Sequence, residues 1–299
     1  MSWRYERCVA AHRLPIGVAQ QAAVGQTVRA GDVVASGTSY GSAVRVGGAR
    51  ALGIGPGDLD RVMRVARDAE VQRGTIIART GRRFARAVAA PIDGRIAHVR
   101  ADGDFEVAPV VGTWTVRATL DGVVTRADAS EVTIEGDAWA LSGVAAYGPD
   151  AFGELTLGVD APSDDLAPGR IDVRQRGRII VGGSRSGAES IARAHACGIT
   201  AVVSGAVPAG GLRSIYGEGV GAHGAPSRED APTVLCLLGF GAARLPAQLW
   251  EPFVALNGRR AAIHVRSARL FVFAPADAVT VETEPALALA ADWGSIAAV

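Results

Sequence analysis

The sequence predicts a protein of the β + α/β class, in which a β-rich N-terminal region precedes a small α/β domain. Two features of the N-terminal half predict strands: an apolar motif with a central glycine that occurs twice, and Asp-Gly pairs between β-forming residues. The C-terminal half alternates apolar strands with helical segments, a pattern typical of a parallel sheet. We expect a β-rich region over residues 1–160, a Pro-, Asp- and Ser-containing linker over 161–169, an α/β domain over 170–275, and a C-terminal strand and tail over 276–299.

The composition is that of a folded protein with no strong charge preference. Of the 299 residues, 48 % are hydrophobic and 20 % are charged, and the formal net charge is +1. This balance predicts a buried core and gives no reason to expect nucleic-acid binding. No apolar run reaches the ~18 residues that a membrane span needs, and no apolar leader segment is present. We therefore expect a cytoplasmic protein without a membrane span.

The chain contains 31 Arg residues and no lysine. Schiff-base formation, PLP attachment and Walker-A phosphate binding are therefore excluded, since each needs an amine that a guanidinium cannot replace. Cys8, Cys197 and Cys236 are far apart in the sequence and show no metal-ligand spacing. We expect them to be buried, reduced thiols, and we expect no metal site.

The repeated motif lies near the start of the chain. Val28-Arg-Ala-Gly31-Asp-Val-Val-Ala35 recurs as Val71-Gln-Arg-Gly74-Thr-Ile-Ile-Ala78. The alternating apolar residues suit strands with one buried face, and each glycine stands where a tight turn favours a residue without Cβ. Asp93-Gly94 and Asp121-Gly122 predict type I′ hairpin turns, which need positive φ at both central residues.

Further elements complete the N-terminal half. Leu59, Val62, Met63 and Ala66 have helical spacing, and Asp58 is a suitable N-cap, so a short helix is predicted over 57–67. Strands are predicted over 114–120, 132–135 and 153–159, and the loop over 145–152 carries no recognisable chemistry.

The motif order over residues 14–125 resembles a known fold. After the two repeats comes Ala90-Pro-Ile-Asp-Gly-Arg-Ile96, and this succession resembles the barrel-sandwich hybrid of biotinyl and lipoyl carrier domains. Carriers of this kind place a lysine at a hairpin tip. The equivalent segments here, Ser36–Gly41 and Arg79–Arg83, have none. The resemblance therefore implies a non-carrier relative without a lipoyl or biotinyl cofactor, of the kind that serves as an assembly or adaptor part.

The C-terminal half predicts a strand-helix alternation. Strands are expected over 178–181, 199–204, 233–238, 261–265, 270–273 and 279–283, and helices over 188–197, 211–215 and 246–256. Gly198 suits the C′ position of the first helix. Residues 177–203 are similar to the swivelling β/β/α folds. The sequences Gly182-Gly183-Ser184 and Gly239-Phe240-Gly241 resemble bacterial proteins that join such a domain to a hybrid barrel.

Two loops of the α/β domain are candidate sites. In Gly182–Ser186, backbone N–H groups between a strand and a helix could bind an anion together with Arg185; the alternative is a tight turn with Ser184 or Ser186 as N-cap. In Tyr216–Asp230, His223 could act as an acid or base with Glu229, or bind an anion with Arg228; the alternative is simple flexibility. Gly239 and Gly241 are expected at the same sheet edge as the first loop. His12, His98 and His264 are isolated in the sequence, and His195 lies within a predicted helix.

The sequence leaves more than one functional class open. The leading hypothesis is a non-catalytic binding or assembly module of a bacterial cytoplasmic complex, with a protein partner and no cofactor. The alternative is an enzyme or small-molecule-binding protein that holds an anionic ligand at Gly182, Gly183, Ser184, Arg185, His223, Gly239 and Gly241. An adaptor of a membrane complex is a third hypothesis, which rests on the fold resemblance alone.

Overall fold

The computed structural model describes residues 2–81, 85–221 and 230–280. The N-terminal elements are β1 (Arg4–Arg13), β2 (Val18–Gln21), β3 (Thr27–Val28), β4 (Val33–Tyr40), β5 (Val44–Val46), α1 (Ala49–Leu52), α2 (Leu59–Val62), β6 (Glu70–Val71), β7 (Ile76–Arg79), β8 (Ala87–Ala89), β9 (Gly94–Val99), β10 (Phe105–Arg117), β11 (Gly122–Ala127), β12 (Glu131–Ser142), β13 (Ala145–Tyr147) and β14 (Ala151–Leu157).

The remaining elements alternate strands and helices. They are β15 (Asp165–Leu166), β16 (Ile179–Val181), β17 (Arg185–Ser186), α3 (Ala188–Cys197), β18 (Ala201–Val207), α4 (Ala209–Tyr216), β19 (Thr233–Phe240), α5 (Ala247–Ala255), β20 (Arg260–His264) and β21 (Arg269–Val272). Short 3-10 turns occupy Pro56–Asp58, Pro168–Arg170, Val173–Gln175, Val265–Ser267 and Ala276–Ala278. The structure contains both strands and helices and is mostly strands, which is consistent with the predicted β + α/β class.

The first glycine motif is fastened to a partner turn late in the N-terminal half. Gly31, with φ of 99°, donates its N–H to the carbonyl oxygen of Ala118 at 2.8 Å. The neighbouring N–H of Ala30 donates to Asp121 Oδ1 at 2.7 Å. The positive φ confirms that this turn needs a glycine, because residues with a Cβ rarely adopt that conformation.

The second motif makes the same contacts with a different partner. Gly74, with φ of 89°, donates its N–H to the carbonyl oxygen of Ala90 at 2.8 Å, and Arg73 donates its N–H to Asp93 Oδ1 at 2.7 Å. The two V-x-x-G segments therefore belong to two copies of one interlocked turn. The two partner segments share the pattern A-x-x-D-G: Ala90-Pro-Ile-Asp-Gly94 contacts the second motif, and Ala118-Thr-Leu-Asp-Gly122 contacts the first. The sequence analysis predicts only a turn for the segment over 118–122.

The predicted type I′ hairpins at the two Asp-Gly pairs are wrong. Gly94 and Gly122 have no positive φ, and each begins a strand that does not pair with the strand before it. Glycine is needed there because of close backbone contact. A Cβ on Gly94 would lie 2.2 Å from the Ala108 carbonyl oxygen, and one on Gly122 would lie 2.0 Å from that of Glu135.

The predicted helix over 57–67 is shorter than expected. The 3-10 turn Pro56–Asp58 leads directly into α2, which ends at Val62, and the Asp58 side chain caps neither. The apolar side chains still pack as predicted, since Leu59 is buried and Met63 lies against the same core.

The α/β half contains the expected parallel strands. β14, β16, β18 and β19 are neighbours in that order, and each adjacent pair is parallel. The helix over 188–197 is confirmed, and Gly198 ends it with φ of 73°. The strand expected over 279–283 is not found at Val279 and Thr280, and its last three positions lie outside the described residues, as does most of the tail.

The sheet continues across the expected domain boundary at residue 160. β14 pairs with both β16 and β20, β13 pairs with β19, and β12 pairs with β21. Within the expected linker, β15 pairs with β17, and Leu166 is buried. Asp165 and Leu166, in the middle of the expected linker, are therefore part of the sheet. In the described part of the chain, no helix is long and apolar enough to cross a membrane.

Candidate functional site

Of the three segments predicted to form the site, the structure places 182–185 and 239–241 at the same end of the parallel strands. Gly205 of β18 donates its N–H to the carbonyl oxygen of Gly183 at 2.8 Å, and Ala206 lies opposite Gly239 of β19. The segments 182–185 and 239–241 therefore flank β18, as the parallel arrangement predicted. His223, Arg228 and Glu229 lie outside the described residues.

The donors of the first loop already have partners within the protein. Gly182 donates its N–H to the Val203 carbonyl oxygen at 2.7 Å, and Ser184 donates its N–H to that of Asp164 at 2.8 Å. Arg185 forms a 3.0 Å ion pair with Asp165, which also accepts a hydrogen bond from the Ser184 hydroxyl. An anion would have to displace these contacts, so this loop is a poorer site than its sequence suggested.

The alternative interpretation of that loop, a serine N-cap for the following helix, is wrong. The residue before α3 is Gly187, and no side chain caps the helix. The hydroxyl of Ser186 instead lies 2.5 Å from that of Ser204, and both residues are fully buried. These serines therefore connect β17 to β18 inside the protein.

A cavity opens where the N-terminal and C-terminal halves of the chain meet. It has a volume of about 650 Å³ and is lined by the ends of β1, β10 and β20 and by the turn between β13 and β14. Two buried histidines, His12 and His264, and the partly buried carboxylate of Asp150 lie together in its wall. His12 and His264 are isolated in the sequence but lie together in the fold, with 5.0 Å between their ring centroids.

His12 bridges a carboxylate and a hydroxyl. Its Nδ1 lies 3.5 Å from Asp150 Oδ2, and its Nε2 accepts the backbone N–H of Thr119 at 3.3 Å. Because a backbone N–H only donates, Nε2 holds a lone pair, and the proton of the neutral ring is on Nδ1, facing Asp150. The Thr119 hydroxyl is also near Nε2, at 3.2 Å. This side chain is no candidate nucleophile, however, because Thr119 is 0 % exposed and a nucleophile must reach the substrate.

Burial keeps His264 uncharged near neutral pH. Desolvation lowers its pKa from 6.5 to about 4; the nearby charge of Asp150 and a backbone hydrogen bond with Ala11 act in the opposite direction. Its Nδ1 lies 2.7 Å from the hydroxyl of Ser267. This contact fixes one ring nitrogen and so sets the direction of the ring.

Asp150 is held in place by the end of β20. Its Oδ1 accepts the backbone N–H of Val265 at 2.8 Å, which leaves Oδ2 directed toward His12. Asp150 lies in the loop over 145–152, for which the sequence analysis predicted no chemistry. Its role could not be read from spacing, because the three members of the cluster are more than a hundred residues apart.

Basic side chains surround this cluster. Arg13, Arg117 and Arg266 line the cavity, as does the indole of Trp114. Arg117 donates to the Gly31 carbonyl oxygen at 2.7 Å, and Arg266 lies 3.6 Å from a Glu131 carboxylate oxygen, so both are oriented by neighbouring groups. The lining residues thus include three arginines and one carboxylate, so the lining carries more positive than negative formal charge.

Within the described residues, the cluster of His12, Asp150 and His264 is the arrangement best suited to hold a metal ion, since one ligand atom from each lies within 4.8 Å of the others. Comparison of the chain with family models, curated proteins and solved structures finds no match. The chemistry of the cavity therefore has to be argued from its own residues.

Proposed function

We propose that the protein binds a small anionic molecule in the cavity between its two halves. The observation that carries this proposal is that Arg13, Arg117 and Arg266 line an open cavity with only one carboxylate, that of Asp150, among its lining residues. Guanidinium groups match the geometry of carboxylates and phosphates and form charge-assisted hydrogen bonds with them. The volume of about 650 Å³ also lies within the range of small-molecule sites.

The other lining groups suit a ligand with more than a charge. Trp114 offers an aromatic face, and the neutral ring of His264 can exchange a hydrogen bond without adding charge. The best-supported ligand is therefore a small metabolite that carries a carboxylate or phosphate on a larger body. An anionic ligand was the alternative hypothesis from the sequence, and we now place it in this cavity rather than at the loops over 182–185 and 239–241.

Calorimetric titration of the EDTA-treated full chain with inorganic phosphate, and then with a panel of organic phosphates and carboxylates, tests the proposal. Arg13→Ala should weaken binding about tenfold, since one charge-assisted contact contributes about 1.5 kcal/mol. Arg4→Ala is the matched control, because Arg4 is an exposed residue of the same strand, away from the cavity. Loss of binding in Arg185→Ala but not in Arg13→Ala would place the ligand at the sheet edge and contradict this site.

A second candidate function is the cytoplasmic assembly module, and a different surface supports it. Val44, Val110 and Val111 are large apolar side chains that are 46 %, 48 % and 63 % exposed; Val44 begins β5, and the other two lie in the middle of β10, with which β5 pairs. Exposed apolar clusters are typical of protein-contact surfaces. We further propose that residues 14–125 are a non-carrier barrel-sandwich hybrid joined to a swivelling-type domain, which the two interlocked turns of the N-terminal half support.

Site-specific photocrosslinking tests the assembly module. A photoreactive residue at Val111 should cross-link one defined protein in the native host, and Val110→Ser should reduce that product. The same photoreactive residue at Val254, a valine on α5 that is 50 % exposed, is the control. Equal products from both positions, or none from position 111, would contradict this second candidate.

A further inference from the structure

The three groups at the cavity wall have the spacing of a metal coordination shell. His12 Nδ1 and Asp150 Oδ2 are 3.5 Å apart, and a ligand atom of His264 lies within 4.8 Å of both. Two ligands on a tetrahedral zinc ion, each with a bond of about 2.1 Å, are separated by about 3.4 Å. The distance between the first two groups therefore matches that between two ligands of one zinc ion.

The hydroxyl groups behind the histidines suit the same role. Metal-bound histidines usually donate the N–H of their second nitrogen to a fixed oxygen, which orients the ring. Ser267 Oγ lies 2.7 Å from Nδ1 of His264, and Thr119 Oγ1 lies 3.2 Å from Nε2 of His12. Both hydroxyls can accept such a hydrogen bond, leaving His12 Nδ1 and His264 Nε2 for the ion, which also has to compete with the backbone hydrogen bond between Ala11 and the His264 ring.

Binding at His12 requires one change of tautomer. Without an ion, Nε2 accepts from the Thr119 backbone and Nδ1 carries the proton. When an ion binds Nδ1, this proton leaves to solvent and another is taken up at Nε2, which then donates to the Thr119 hydroxyl. The ring stays neutral, and the 3.3 Å contact with the Thr119 backbone N–H is lost. Thr119 is fully buried, so its N–H is then left without this partner at a cost of about 1–3 kcal/mol, which coordination of the ion has to exceed.

We propose that His12, Asp150 and His264 bind one divalent transition-metal ion of the zinc type, with an open coordination position toward the cavity. Two imidazoles and one carboxylate favour zinc, iron or cobalt, whereas magnesium and calcium prefer oxygen ligands. Three protein ligands also leave room for water or an oxygen atom of a bound anion, as in catalytic zinc sites. The ion's binding does not depend on the anionic ligand, so the site goes beyond the function proposed above.

Metal titration of the full chain after EDTA treatment and dialysis tests the site. Zinc measured by calorimetry should bind with a stoichiometry of one, and cobalt should give the visible absorption bands of a four- or five-coordinate ion. Asp150→Asn should lower zinc affinity at least tenfold, and so should His264→Gln. His195→Gln and His98→Gln are matched controls, since both histidines lie outside the cluster, and each should leave the affinity unchanged.

The Asp150→Asn variant should still fold, because its asparagine oxygen can accept the hydrogen bond from the Val265 N–H. Absence of zinc binding, or zinc binding that Asp150→Asn and His264→Gln leave unchanged in variants with wild-type circular dichroism, would overturn the proposal. Phosphate binding in EDTA reports on the arginines alone, so failure of the metal site and failure of the anion site give separate results.

Discussion

Trp3 donates its indole N–H to the carbonyl oxygen of Leu249 at 3.0 Å, across 246 residues of sequence. The same indole packs edge-on against Phe253, with 5.0 Å between ring centroids, and is 1 % exposed. The start of β1 is thereby attached to α5 of the other half, so the two halves share one core at this point.

Trp3→Ala should destabilise the whole protein by about 3–5 kcal/mol, because it removes a large buried side chain and leaves a cavity beside Phe253. Denaturant unfolding followed by circular dichroism measures this loss. Tyr5→Ala is the control, since Tyr5 is 42 % exposed and its replacement should cost much less. Equal losses in the two variants would show that the Trp3 contact does not join the halves.

Gly94→Ala should destabilise by about 1–3 kcal/mol, because the new Cβ would lie 2.2 Å from the Ala108 carbonyl oxygen and force the strands apart. Gly57→Ala is matched to it, because a Cβ there has nothing within 4 Å and its φ is not positive. The comparison of the two midpoints of unfolding separates steric crowding from a general effect of removing glycine. A Gly94→Ala variant as stable as Gly57→Ala would contradict the close approach.

Stability should fall as the pH drops from 6.5 toward 4 in metal-free protein. The folded-state pKa of His264, about 4, lies below the ordinary value of 6.5, so the unfolded chain takes up the proton first. Above pH 6.5 the neutral ring makes its full contribution to the free energy of unfolding. At pH 4 this free energy is lower by about 3 kcal/mol. Asp150, His12 and Arg266 are the charged or titratable groups that act on this ring.

Comparison of wild type with His264→Gln measures that contribution. Urea unfolding at pH 7, 6 and 5 should show a steeper decline for the wild type, because glutamine does not titrate. Parallel declines in the two proteins would mean that other groups cause the pH dependence.

The cysteines should be unreactive in the folded protein. All three are buried, and desolvation raises the pKa of the Cys236 thiol to about 12, so almost no thiolate forms at pH 8. A thiol reagent such as DTNB should label none of them within minutes at pH 8, and all three after addition of guanidinium chloride. Rapid labelling of Cys236 in the folded state would contradict its burial.

Local patterns in the sequence predicted local structure well. The helix at Ala188–Cys197 and its terminal Gly198 follow from apolar spacing and from the preference of glycine for positive φ. Gly31 and Gly74 were predicted for the same reason, and both have positive φ. The Asp-Gly pairs were mispredicted because two different causes, positive φ and close backbone contact, select the same residue.

The candidate site was predicted less well than the local structure. The loop at 182–185 was placed at the correct sheet edge, but Asp164 and Asp165 occupy its donors. Nothing in the local sequence indicates these contacts, because they depend on how the segment over 161–169 joins the sheet. His12 and His264 each have ordinary neighbours in sequence, and only the pairing of distant strands brings them together with Asp150.

The sequence by itself determined the helix over 188–197, the parallel strands of the C-terminal half, the absence of lysine chemistry and the duplicated glycine motif, since each depends on residues close together in the chain. Tertiary structure alone decided the shared sheet across residue 160, the cavity with its three arginines, and the cluster of His12, Asp150 and His264. The physical reason is that backbone conformation is set by near neighbours, whereas a binding site requires side chains whose separation in space depends on the packing of the whole chain.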